Sequence, residues 1–111
     1  MLRDLSVRFI MMAALLRGGM ATADPEVHLP PGTRTVDGQL VSGRGLRDSS
    51  DFLAKELDRQ GIAYKQIGPY RVRGVELTRF ISQTASTSYL AIHVLRSAGK
   101  TLIFFVRRPG S

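Results

Sequence analysis

Between Tyr89 and Arg108 the chain reads YLAIHVLRSAGKTLIFFVRR. Two segments, Tyr89 to Arg96 and Thr101 to Arg108, are rich in β-branched and aromatic residues and predict a pair of strands. Ser97, Ala98, Gly99 and Lys100 predict a four-residue hairpin loop between them. Side chains alternate along a strand. Leu90, Ile92 and Val94 therefore share one face of the first segment. Leu102, Phe104 and Val106 share one face of the second, with Ile103 and Phe105 behind them.

Upstream, Val75 to Ser82 alternates in the same way. Val75, Leu77, Arg79 and Ile81 lie on one side, and Glu76, Thr78, Phe80 and Ser82 on the other. Ala63 to Arg73 is a further β-prone stretch broken by Gly68-Pro69, with Gly74 marking a bulge or tight turn. Before it comes a helix, predicted over Ser50 to Gln60. Asp48, Ser49 and Ser50 offer capping oxygens, Asp51 suits the first turn, and Leu53 and Leu57 form an i, i+4 stripe beside Phe52. Gly61 is placed to end the helix, with Ile62 packing back on Leu57. Asp37-Gly38 signals a turn before a short strand, Gln39 to Ser42. Gly43-Arg44-Gly45 reads as a flexible lead into the helix, since it matches neither the dinucleotide fingerprint nor the P-loop. The predicted fold is α+β: one helix packed on a four- to five-stranded, mainly antiparallel sheet in the order β-α-β-β-β-β.

The first residues read differently. Arg3 and Arg8 precede an unbroken apolar run, Phe9 to Leu16, followed by small residues with Ala21 and Ala23 at the −3 and −1 positions of a cleavage site. A basic start, a short apolar stretch and small residues at those two positions make a secretory signal, with the cut before Asp24. The run is too short to span a membrane. The expected organisation is a signal peptide over residues 1–23, a Pro-rich arm over 24–35 and one small domain over 36–111. At 111 residues there is room for one domain only.

The formal charge is +7, and thirteen of the sixteen basic residues are arginine. Arginine on strands is the unusual feature. Arg71 and Arg73 are two apart and are expected on one face, and Arg79 joins them if its strand is paired in register. A row of guanidinium groups presents preset forks to carboxylates or phosphates. The partners such a surface suits are an acidic protein, an anionic lipid or a cell-envelope polymer. Export argues against nucleic acid. With Tyr70, Tyr89 or Phe105 exposed, an uncleaved cytoplasmic chain would instead suit single strands.

Catalytic signals are sparse. There is no cysteine, and of the two histidines only His93 lies inside the folded part. It points away from Ile92 and Val94, toward the more exposed face. Glu56 and Asp58 diverge on the helix and do not form a carboxylate pair. Glu76, among basic neighbours, is expected to pair with an arginine. No metal, nucleotide, cofactor or triad motif is present. The reading that follows is an exported non-enzymatic binding module. Its alternatives are a small enzyme with a site near His93 and the cytoplasmic single-strand binder.

The export signal, the Pro-rich arm with Leu29-Pro30-Pro31-Gly32-Thr33-Arg34, the single helix and the terminal hairpin together resemble small secreted proteins of proteobacteria. That resemblance is one of layout over most of the mature chain. It implies a small exported domain and carries over no functional residues.

Overall fold

The computed structural model describes residues 27–109. The apolar run Phe9 to Leu16 and the cleavage residues Ala21, Ala23 and Asp24 lie outside the described residues. The elements are β1 (Arg34–Val36), β2 (Gln39–Ser42), α1 (Leu46–Arg59), β3 (Tyr64–Val72), β4 (Val75–Ser82), β5 (Tyr89–Ser97) and β6 (Lys100–Arg107). They form one antiparallel sheet in the order β1-β2-β6-β5-β4-β3, with α1 packed on one face.

The sheet has six strands rather than four or five. The extra strand is β1. Asp37 and Gly38 both take positive φ, 51° and 77°, which makes a two-residue turn whose twist suits a hairpin. Arg34 to Val36 therefore fold back onto Gln39 to Val41. The segment read as a Pro-rich arm thus ends in a strand. Its earlier part also packs on the domain: Val27 is 3% exposed, and the His28 backbone N–H donates to Glu56 Oε2 at 3.0 Å.

The helix starts four residues earlier than capping chemistry suggests. Its N-cap is Gly45, which provides no side-chain bond, and Ser49 is buried with its Oγ 2.7 Å from that of Ser42. Leu46 explains the extension. It adds a third leucine to the buried stripe of Leu53 and Leu57, and burying one leucine contributes about 1.5–3 kcal/mol, more than the ~1 kcal/mol of a typical cap. The other end matches expectation. Gly61 has φ 73°, its N–H reaches Asp58 O, and the Ile62 N–H reaches Leu57 O, both at 3.0 Å. Those two bonds define a Schellman ending.

Under the helix, Leu40, Phe80, Ile92, Val94 and Ile103 complete the core with Tyr89. The β5–β6 connection is tighter than expected. Ser97 and Lys100 pair with each other, so only Ala98 and Gly99 turn. A register shift between Tyr89 and Ala91 takes Leu90 out of line with Ile92, and Leu90 is exposed.

β3 runs through Gly68-Pro69 instead of breaking there. The pairing passes from Ile67–Arg79 to Tyr70–Leu77, so two residues of β3 stand opposite Thr78 alone. A Cβ on Gly68 would lie 2.5 Å from Leu77 O, and its φ is 99°. Glycine is what lets the two backbones approach at this bulge. The extra residue reverses which side chains face the helix beyond it.

Candidate functional site

That reversal decides the fate of the expected arginine row. Ile67 and Tyr70 share the face away from the helix, so Arg71 emerges on the helix side. There it pairs across the sheet with Glu76, and its Nη2 donates to Glu76 Oε2 at 2.9 Å. Arg73 is not on a strand. It occupies the β3–β4 turn with φ 51°. Arg79 lies on the open face between Ile67 and His93. The three residues do not form one row, and the physical reason is the bulge. The pairing expected for Glu76 is present.

Basic side chains converge elsewhere. Arg34, Arg44, Arg96 and Lys100 line a cleft of about 360 Å³ at the end of the sheet beside the start of α1. Each comes from a different element: β1, the Gly43–Gly45 loop, β5 and β6. Val41, Ser42, Thr101 and the backbone of Gly43, Gly45 and Gly99 also line it, and among the described residues no carboxylate does. The ion pairs of the described residues, His28–Glu56, Arg59–Glu56 and Arg71–Glu76, engage none of the four cations. The loop is held in place from within, because Ser42 Oγ accepts the Arg44 N–H at 3.1 Å while meeting Ser49. The arrangement can take an anion by several charged donors at once.

Sequence reasoning set the Gly43-Arg44-Gly45 loop aside for lack of a nucleotide fingerprint. The usable signal was its charge. Arg44 lies in a glycine loop, and Arg96 and Lys100 flank a hairpin turn, so β2–β6 pairing sufficed to bring them together. The remaining terminal arginines are occupied. Arg108 donates to the carbonyls of Thr87 and Thr84 at 2.8 and 3.0 Å, and Arg107 lies over the Phe105 ring.

His93 is half-buried on the open face. Burial, and after it the charge of Arg79, holds its pKa below the usual histidine value. Its cross-strand neighbours are Arg79 and Phe104. No described Asp or Glu lies on that face, since Asp48, Asp51, Glu56 and Asp58 belong to the helix, Glu76 faces it and Asp37 is in a turn. Of the aromatic side chains expected for single strands, Tyr70 lies half-buried on the open face and Phe105 is half-buried, whereas Tyr89 is not exposed. Tyr89 is 1% exposed and packs edge-on against Phe105, with ring centroids 5.8 Å apart.

Among the described residues no group of three or more His, Asp or Glu side chains is placed to hold a metal ion. No helix among them is long and apolar enough to cross a membrane. The chain matches no protein-family model, no curated protein and no solved structure.

Proposed function

We propose that the chain is an exported, non-enzymatic binding module that holds an anionic group of a partner in the cleft formed by Arg34, Arg44, Arg96 and Lys100. The observation that carries this reading is the convergence of four cations from four elements on one cleft lined, among the described residues, by no carboxylate. Like charges brought together repel, and an anion placed among them relieves that repulsion. The chemistry of the partner is a carboxylate or phosphate on an acidic protein, an anionic lipid or a cell-envelope polymer. This cleft is preferred to the site proposed from the sequence because Arg71, Arg73 and Arg79 lie apart, on the helix side, in a turn and on the open face.

Calorimetric titration with polyglutamate and with polyphosphate tests the proposal. Wild-type protein binds at least one of them, and binding weakens as salt rises. The combined Arg44→Ser, Arg96→Ser and Lys100→Ser variant loses roughly tenfold or more in affinity, about 1.4 kcal/mol, and melts at the wild-type temperature. Equal binding by the variant overturns the site. Absence of binding to either polyanion overturns the function.

A further inference from the structure

We propose that the sheet face opposite α1 docks an amphipathic helix of a partner protein, with one carboxylate in the apolar stripe of that helix engaging Arg79. The register places three rows across this face. The middle row is Ile67, Arg79, His93 and Phe104. One flanking row runs from Tyr70 through Leu77 and Leu95 to Leu102, the other from Lys65 through Ile81 and Ala91 to Val106. A central cationic group thus lies among mostly apolar side chains, with His93 beside it and Lys65 at one corner. Among the described residues no element covers the face, and Val72 and Val106 stand exposed on it.

Arg79 selects the occupant. Its Nε is buried and has no hydrogen-bond partner. The guanidinium as a whole is half-buried and no ion pair of the described residues engages it, so a carboxylate on a docked partner can pair with its accessible part and offset the desolvation of the charge. Among the described residues the formal charge in the three rows of the face is positive, from Arg79 and Lys65, so complementarity calls for an acidic surface. A bilayer is a poor fit, because apolar contact would carry the central guanidinium into hydrocarbon. A second copy is a poor fit as well. A two-fold axis through the centre of the face would set one Arg79–His93 pair against another. A helix with apolar residues around one Asp or Glu satisfies the apolar surroundings and the centre together. It would complete a three-layer arrangement of the kind that buries both faces of a sheet.

The test uses the full chain and three synthetic amphipathic helical peptides. They share one apolar stripe and carry Glu, Gln or Lys at its middle. The Glu peptide binds about tenfold or more tightly than the Gln peptide, a difference of roughly 1.4 kcal/mol, and the Lys peptide binds least. Arg79→Met abolishes the preference. Amide shifts on binding gather at Ile67, Leu77, Leu95 and Phe104 and spare α1, a readout that serves on wild-type protein should the variant fail to fold. Equal affinity for the Glu and Gln peptides, absence of binding, or shifts on the helix side overturns the proposal. So does a concentration-dependent dimer that buries the face, or docking of the face on phosphatidylglycerol vesicles in preference to the peptide. Because the cleft is probed by polyanions and lies at the end of the sheet, failure of either proposal leaves the other readable.

Discussion

Glu56 holds several donors on one buried carboxylate. Arg59 Nε and Nη2 approach at 3.0 and 2.9 Å, Gln60 Nε2 at 2.7 Å and the His28 N–H at 3.0 Å. The Arg59 hydrogen bonds, opposed by burial and helped by the His28 N–H, bring its pKa from 4.5 to about 2. A carboxylate with a depressed folded-state pKa stabilises the fold above its unfolded value, and that contribution disappears as pH falls through the folded value. The window therefore runs from about 4.5 down to about 2. Linkage sets an upper limit of about 3 kcal/mol, which solvent around the exposed Arg59 head reduces. Chemical denaturation of wild type and Glu56→Gln across that range checks this: the variant is less stable at neutral pH, and the difference closes in acid. The same substitution weakens the hold on residues 27–30, seen as faster amide exchange at His28.

At the scale of elements, α1 rests on Leu53 and Leu57, 0% and 1% exposed. Leu57→Ala is expected to cost about 2–5 kcal/mol through lost transfer energy and the cavity left behind. Gly61→Val destabilises as well, because a β-branched residue resists the positive φ of the Schellman ending. Thermal melts of the two variants check both, and near-neutral effects would contradict the packing of helix on sheet. The helix, β4, β5 and β6 were legible because each repeats its apolar residues with a clear period. The start of α1 was not, since the capping residues Asp48, Ser49 and Ser50 suggested an N-terminus that the burial of Leu46 outweighed. β1 was hidden because Pro30, Pro31 and Gly32 made its neighbourhood read as linker. The bulge had the largest consequence. Gly68-Pro69 was visible as an interruption, but whether it ends a strand or inserts one residue depends on pairing with β4, which local sequence does not determine. The facing of Arg71 depended on that one residue, and so the candidate site moved.

For the whole molecule, charge is segregated. Of the described acidic residues all but Asp37, which is in a turn, sit on the helix or face it, whereas the open face and the cleft at the end of the sheet are cationic. Both surfaces call for negative partners, and the expected export signal would deliver them to the cell envelope. Ala23→Arg tests that step: the small −1 position no longer fits the peptidase, so mass spectrometry of fractionated cells finds the variant unprocessed while wild type begins at Asp24. Wild type recovered intact in the cytoplasm would contradict export. The central claim is that the cleft around Arg44, Arg96 and Lys100 is where an anion binds. Amide chemical-shift mapping during titration with polyglutamate or polyphosphate tests it most directly. The account predicts shifts confined to Arg34, Val41–Gly45, Arg96 and Gly99–Thr101, fading with added salt. Shifts centred on Arg71 and Arg73, or none at all, would contradict it.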